Sequence, residues 1–237
     1  MYRQRRNRKR YKLATTILAL IVVVAGYVTY NENGVNSVKL DEIPKWDGRS
    51  AYVSVDNGKP DFSDSELKTV RFERHDRLDA LGRAVGTLAC LDREGLAKGQ
   101  RDYIGMIHPT GWKYKKYAFV DGRLLYNRCH LIGWQLTGST ADPKNLVTGT
   151  RFMNVKGMLP WENKLADYLK HSKNHVMYKV VPIYSGKELV CRGVHMQAMS
   201  VEDKGKSLSF NVYCYNVQPG VEIDYSTGES RSNNAED

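Results

Sequence analysis

Three long segments near the C-terminus are rich in β-branched and aromatic residues and are separated by polar turns. They run from Val176 to Tyr184, from Leu189 to Met199 and from Leu208 to Val217. Runs of this length and composition are typical of buried strands, and their closeness along the chain predicts an antiparallel meander. Shorter apolar runs at 69–72 and 84–90 predict two further strands.

The middle of the chain predicts a hairpin, a loop region and a helix. An Asp-Gly pair separates two short apolar runs at 117–120 and 123–126, which is typical of a β-hairpin. Apolar residues recur at helical spacing in 161–170, and Ser63 followed by Glu66 has the pattern of a helix start. Because strands and helices do not alternate regularly, we expect an α+β domain.

The first thirty residues have the pattern of a membrane anchor. Residues 1–12 contain seven basic and no acidic side chains, and the uncharged apolar segment 13–30 follows directly. Eighteen helical residues just span a bilayer core, and the basic flank predicts a cytoplasmic tail. A cleavable signal peptide is the alternative. Either interpretation places the rest of the chain at the membrane surface or in the medium, outside the cytoplasm.

Composition divides the remainder into three parts. Residues 31–50 are polar and turn-rich, which is typical of a stalk, and we expect the folded domain at 51–230 and a short C-terminal tail at 231–237. The net charge of +10 comes mostly from residues 1–12, because the other residues hold 29 basic against 26 acidic side chains. That small excess does not by itself indicate a polyanionic partner.

Four cysteines are present, at positions 90, 129, 191 and 214. An even number in an oxidising location permits disulfides, and two of these cysteines, Cys191 and Cys214, fall in predicted strands. Buried free thiols are equally compatible with the sequence.

Residues 126–154 concentrate side chains that suit phosphodiester hydrolysis. His130 ends a predicted strand beside Arg128, and Asn145 and Asn154 follow. A neutral imidazole can take a proton from an attacking water, an amide oxygen can ligate Mg²⁺, and arginine binds phosphate oxygens. A lone histidine after a strand is more often structural, so the ordered combination carries the argument.

The stretch from Asn127 to Glu162 resembles the ββα-metal nucleases, whose signature is Asp-Arg-Gly-His. The resemblance is strongest to exported bacterial DNA-entry and DNA/RNA nonspecific endonucleases, and it extends over about 51–229. It implies a ββα-metal (His-Me finger) fold with a central antiparallel sheet flanked by helices. It also implies a sequence-nonspecific endonuclease for DNA or RNA that uses Mg²⁺, with Mn²⁺ as a substitute, and leaves 5′-phosphate ends.

The resemblance assigns roles residue by residue. His130 is expected to be the general base, Asn154 the metal ligand and Arg128 a contact to the reacting phosphate. Asn145 is expected to support the site, and Glu162 to hold water of the metal's hydration shell. Two positions depart from the signature: the first residue is Asn127 instead of Asp, and the third is Cys129 instead of Gly. The loss of an acidic group leaves open how the imidazole is oriented and how basic it is.

Further residues are candidates for substrate contact. Arg151 is a candidate for phosphate contact or for stabilising transition-state charge, because it lies three residues before Asn154. Basic and aromatic side chains upstream of the signature predict a nucleic-acid groove, although core packing explains the aromatic ones equally well. The aromatic candidates are His108, Trp112, Tyr114, Tyr117 and His195. The residues assigned to substrate binding are Lys113, Lys115, Lys116 and Trp134.

Two other functions are compatible with the sequence. Asn127 in place of an acid would suit a membrane-anchored nucleic-acid receptor that has kept the fold without turnover. A toxin-like effector would use the basic N-terminus for delivery and would have an immunity protein as partner. For the nuclease itself, the candidate partners besides DNA or RNA are the membrane, through residues 13–30, and a DNA-uptake machinery.

Overall fold

A six-stranded antiparallel sheet is the centre of residues 37–233, the part of the chain that the computed structural model describes. Three of its neighbouring strands are consecutive in the chain, so the predicted C-terminal meander is confirmed. In spatial order the sheet consists of β1 (Tyr52–Ser54), β8 (Ser209–Tyr215), β7 (Gly193–Ser200), β6 (Val176–Ile183), β3 (Thr87–Leu91) and β2 (Phe72–His75).

A separate two-stranded ribbon and two helices lie between β3 and β6 in the chain. The ribbon pairs β4 (Tyr126–His130) with β5 (Leu146–Thr150). A short helix α1 (Trp134–Thr137) leaves β4, and a π-helical turn (Met153–Met158) leads from β5 into α2 (Leu159–His171). The order strand, strand, helix therefore places β4, β5 and α2 in one unit.

Smaller elements complete the described part. A C-terminal ribbon pairs β9 (Val221–Ile223) with β10 (Ser230–Ser232). Three 3₁₀ turns lie at Leu40–Glu42, Asp56–Gly58 and Pro143–Asn145. The α+β class and the antiparallel sheet flanked by helices are thus as the sequence predicts.

Helix α2 forms where the apolar spacing predicts it and begins two residues earlier. Pro160 stands in its first turn, where no backbone N–H is needed, and Glu162 complements the positive helix N-terminus. Leu165 and Leu169 are fully buried one turn apart and pack into the main core beside the sheet. This packing fixes the direction of the first turn of α2, which bears Glu162.

The predicted hairpin at 117–126 is wrong. Tyr117 and Arg123 close a turn through one backbone hydrogen bond, and a single bridge joins Lys116 to Leu124. The second predicted strand is shifted into β4, which pairs over five residues with β5 instead. The longer ladder satisfies more backbone groups than a short hairpin would.

The predicted domain limits are also corrected. Within the assigned stalk, Leu40, Ile43 and Trp46 pack on a cluster around Tyr215, whose hydroxyl donates to the Pro44 carbonyl oxygen at 2.8 Å. Polar composition concealed these spaced apolar residues, so residues 37–50 belong to the domain. At the other end, part of the predicted tail forms β10.

The predicted basic tail 1–12, the anchor 13–30 and residues 31–36 lie outside the described residues. Between residues 37 and 233, the structure contains no helix that is both long and apolar enough to cross a bilayer. All four cysteines lie within this range and are buried free thiols. Of the two alternatives, disulfides or free thiols, the structure therefore contains free thiols.

An ion pair with a buried lysine ties the segment before β2 to the sheet. Lys179 on β6 is fully buried, and its Nζ lies 2.7 Å from a carboxylate oxygen of Glu66. Glu66 also accepts hydrogen bonds from the backbone N–H and hydroxyl of Ser63, as the helix-start pattern predicts, but only a turn forms there. The lysine therefore anchors this turn to the sheet.

Replacing Glu66 by alanine is expected to lower the free energy of unfolding by about 3 kcal/mol or more, because it leaves the Lys179 ammonium buried without its counter-charge. Urea denaturation measures this loss. The matched control is Glu229→Ala, which breaks a Lys–Glu pair of the same 2.7 Å length with Lys113 at the exposed surface. The control should cost less than about 1 kcal/mol, and equal losses in both variants would contradict the explanation.

Candidate active site

A cleft of about 330 Å³ opens where the end of β4 meets α1 and the first turn of α2. Five of the residues to which the sequence assigns a role in the site line it together: Arg128, His130, Trp134, Asn154 and Glu162. Arg128 and His130 alternate along β4, and Asn154 and Glu162 come from the π-helical turn and α2. Residues far apart in the chain therefore converge on one cavity.

His130 is held by a hydrogen bond on each ring nitrogen. Its Nε2 lies 2.8 Å from the carbonyl oxygen of Thr140, and its Nδ1 lies 2.8 Å from Nη2 of Arg101. Because a carbonyl only accepts and a guanidinium only donates, Nε2 must carry the proton and Nδ1 must present its lone pair. The basic nitrogen is therefore Nδ1.

Burial keeps His130 in its neutral form. The side chain is 6% exposed, and this desolvation is the main reason why its pKa falls from 6.5 to about 4. The Thr140 carbonyl opposes the shift and the positive charge of Arg101 adds to it. At neutral pH the imidazole can accept a proton, although a low pKa also makes it a weaker base.

The imidazole of His130 is expected to titrate in the metal-free protein with a midpoint near 4. Following its ring protons by NMR from pH 8 to pH 3 measures the midpoint. Because the unfolded chain binds the proton at about 6.5 and the folded chain only near 4, folding stability should fall as the pH drops through this window. A midpoint near 6.5 would show that burial does not control this group.

Asn145 fixes the chain just after His130. Its side-chain oxygen accepts from the Ile132 N–H at 2.9 Å, and its side-chain nitrogen donates to the Ile132 carbonyl oxygen at 3.1 Å. The Asn145 backbone carbonyl also accepts from the Leu131 N–H at 2.9 Å. This pair of buried hydrogen bonds holds the end of β4 against the start of β5, which fits the support role expected for Asn145.

Close packing brings this same segment onto Glu162. A Cβ atom on Gly133 would lie 2.7 Å from a carboxylate oxygen of Glu162, so a larger residue there would have to displace this carboxylate. Burial raises the pKa of Glu162 to about 7, and the nearby positive charge of Arg101 offsets part of that rise. The charge of Arg101 does not fully compensate the burial of the Glu162 carboxyl group. A cation bound beside it would favour the ionised form.

The polar groups of the cleft suit a hard divalent cation. Asn154 and Glu162 offer amide and carboxylate oxygens, and Oδ1 of Asn127 is buried there without a hydrogen-bond partner among the described residues. Within residues 37–233, no group of three or more His, Cys, Asp or Glu side chains is arranged so that it could hold a metal ion. This donor set fits Mg²⁺ or Mn²⁺, which keep several waters, better than a metal that needs thiolate or several imidazole ligands.

Arg101 is the residue of this cleft that the sequence did not indicate. It lies in a segment without regular structure, and Asp102 beside it accepts a hydrogen bond at 2.8 Å from the hydroxyl of Thr140. Its segment is thus tied to the loop that orients His130. No motif or periodicity marks an isolated arginine in such a loop.

Arg128 has a second task besides lining the cleft. Its guanidinium donates to the carbonyl oxygens of Ile107 and, at 2.6 Å, Gly105, and it lies 4.1 Å from the ring centroid of Trp112. The side chain therefore holds the loop around Gly105 against the strand that bears His130.

Several predicted contact residues lie elsewhere. Arg151 does not line the cleft and pairs with Asp121 at 2.8 Å, and Lys113 pairs with Glu229. Lys115 and Lys116 line a separate surface depression with Arg231. For two of the aromatic candidates the structure has the core-packing alternative: His195 is buried and bonds to Asn211, and Tyr117 is buried in a small core. Residues that are close in the sequence of an irregular segment do not have to lie on the same side of the protein, so closeness to the motif did not predict which side chains reach the cleft.

The family model described as DNA/RNA non-specific endonuclease matches residues 65–202. The chain belongs to this family. The predicted family is therefore confirmed. A deoxyribonuclease of Streptococcus dysgalactiae subsp. equisimilis is 31% identical over 123 residues, which are 50% of this chain and 34% of that protein. The chain thus spans about a third of the length of this relative.

Solved structures of two nucleases share the fold. NucA from Streptococcus agalactiae with magnesium bound has a TM-score of 0.67 at 24% identity and covers 76% of this chain and 86% of its own. The Sda1 nuclease with bound zinc has a TM-score of 0.64 at 23% identity and covers 77% and 97%. The predicted ββα-metal nuclease fold is confirmed, and β4, β5 and α2 follow one another in the order strand, strand, helix.

Proposed function

We propose that the chain is a sequence-nonspecific, metal-dependent endonuclease that hydrolyses phosphodiester bonds of DNA and RNA. One observation carries the proposal: a neutral imidazole presents Nδ1 in the same cleft as the oxygen groups of Asn154 and Glu162. Membership of the DNA/RNA non-specific endonuclease family supports the substrate class, and the metal-bound relatives support the need for a divalent cation.

The proton transfer falls to His130. Nδ1 accepts the proton of the attacking water while Nε2–H stays bonded to Thr140, which holds the ring in place as it becomes charged. In the free protein Arg101 donates to Nδ1, so this guanidinium has to move off before a water can bind there. An incoming phosphate offers it a stronger, charge-assisted partner.

The remaining residues would stabilise charge. Asn154 would hold the divalent cation, Mg²⁺ with Mn²⁺ as a substitute, which supplies positive charge for the phosphate and the leaving oxygen when it is bound. Glu162 would accept a hydrogen bond from water in the site, and Arg101 and Arg128 would face the phosphate oxygens. Cleavage would follow contacts to the backbone and leave 5′-phosphate ends, so base sequence would matter little.

The same proposal places the domain outside the cytoplasm, carried by the anchor or signal segment at 13–30. Its biological partner would be nucleic acid arriving from outside the cell, with an uptake machinery or an immunity protein as further partners.

Incubating the purified full-length protein with closed circular plasmid, circular single-stranded DNA and RNA tests the activity. The proposal expects internal cleavage of circles in Mg²⁺ and in Mn²⁺, and none in EDTA. A receptor without turnover would retard the plasmid and leave it intact in every buffer, which would overturn the proposal.

A further inference from the structure

A second groove adjoins the active cleft at β4. Its volume is about 600 Å³, and it shares Arg101, Asn127 and Arg128 with the cleft that holds His130. Ring side chains supply much of its remaining wall: Tyr103, His108, Trp112, Tyr114 and Tyr126. A ligand that reaches the base therefore has a row of rings beside it.

Two of these rings are far more exposed than packing would explain. Tyr103 is 78% exposed and Tyr114 is 71% exposed. The rings of His108 and Trp112 lie nearly parallel, at an interplanar angle of 11° with centroids 6.1 Å apart. Exposed flat surfaces next to a catalytic centre indicate a ligand with flat faces of its own.

Direct contacts connect the residues of this groove to β4, the strand that bears His130. A Cβ atom on Gly105 would lie 1.9 Å from the hydroxyl oxygen of Tyr103, so this tyrosine folds back onto the glycine. Gly105 is bound through its carbonyl to Arg128, which also stacks on Trp112. Arg128 stands two residues before His130 on β4, so the positions of the rings and of the base are set together.

Rings that alternate with guanidinium groups match one ligand in particular. A nucleic-acid strand offers phosphates for Arg101 and Arg128 and base faces for the rings, but only where the bases are unpaired. In a duplex each base face is covered by its neighbours, and exposing it costs unstacking energy. A protein ligand with flat side chains could stack on the rings, but it would not offer phosphates to Arg101 and Arg128.

We propose that this groove stacks unpaired nucleobases next to the scissile phosphate, so that single-stranded nucleic acid binds in preference to duplex. The inference rests on the proposed nuclease function and narrows its substrate class. It assigns Tyr103 and Tyr114 to substrate binding, a role that neither the signature motif nor the lysines around 115 fulfil.

Binding is measured in the His130→Ala background, so that the substrate stays intact. Fluorescence anisotropy compares a labelled single strand with the duplex of the same sequence in Mg²⁺. Tyr103→Leu and Tyr114→Leu should each bind the single strand about 5- to 50-fold more weakly, and duplex binding should change far less. Tyr114→Phe keeps the ring and should bind normally, as should Phe119→Leu, an exposed ring that lines neither cleft.

An oligonucleotide with abasic sites beside the cleavage position shows whether stacking is the cause. It should bind the parent protein more weakly, and Tyr114→Leu should then cause no further loss. Equal losses with abasic, single-stranded and duplex ligands would overturn the inference, because the rings would then only shape the loop. If the unmodified protein cleaves nucleic acid but the tyrosine variants bind the single strand normally, the role of the groove is contradicted and the proposed function stands. If the variants lose single-strand binding but the unmodified protein does not cleave, the proposed function is contradicted and stacking in the groove stands.

Discussion

Replacing His130 by alanine is expected to slow plasmid cleavage by about 10²- to 10⁴-fold. The physical reason is the loss of Nδ1, the lone pair that the Thr140 carbonyl orients by holding Nε2–H. Nucleic-acid affinity should stay close to that of the parent protein, because the arginines that face the phosphate remain. Single-turnover rates with enzyme in excess separate the two effects.

Imidazole added to the buffer should restore part of the activity of His130→Ala, since the substitution leaves a cavity beside Thr140 that a small base can enter. The matched control is His171→Ala, whose imidazole is 76% exposed at the end of α2 and is expected to cut like the parent. Retention of most activity in His130→Ala, or a loss of the same size in His171→Ala, would remove His130 as the base.

Replacing Asn154 by alanine is expected to weaken Mn²⁺ binding by at least about tenfold to a hundredfold and to lower cleavage in parallel. The side chain of Asn154 on the π-helical turn brings an amide oxygen to the cleft that the carboxyl of Glu162 also lines. Electron paramagnetic resonance of free Mn²⁺ measures binding without substrate, so the result does not depend on turnover.

Asn154→Asp keeps an oxygen ligand at this point and should bind Mn²⁺ at least as well as the parent. Asn174→Ala is the control outside the site, because its side chain bonds only to Tyr168 near the end of α2 among the contacts described. Unchanged Mn²⁺ affinity in Asn154→Ala would show that the cation is held elsewhere.

The sequence predicted the parts of the fold that local patterning controls. The strands β6, β7 and β8 and the helix α2 were predictable because apolar residues recur at the period of each element and polar turns separate them. His130 and Asn154 were recognised because an ordered motif brackets them. Their convergence in one cleft depends on the β4–β5 ladder, which the hydrophobic pattern did not predict.

The remainder depends on contacts between distant residues. Arg101 reaches His130 from a loop 29 positions away, and no local pattern marks it. Arg151 and Lys113 look available in the sequence, yet each is paired with an acid, Asp121 or Glu229, that the fold brings close. Residues 37–50 were taken for a stalk because their few apolar side chains are spaced widely, and only the surface around Tyr215 shows what they cover.

The most direct test of the shared site is the rate of single-turnover plasmid cleavage in Mg²⁺ for the parent, His130→Ala, Asn154→Ala and the double variant. If both side chains act on one reacting phosphate, the double variant loses no more activity than the worse single variant. Losses that multiply, or an intact plasmid with the parent protein, would contradict a common site at β4 and the π-helical turn.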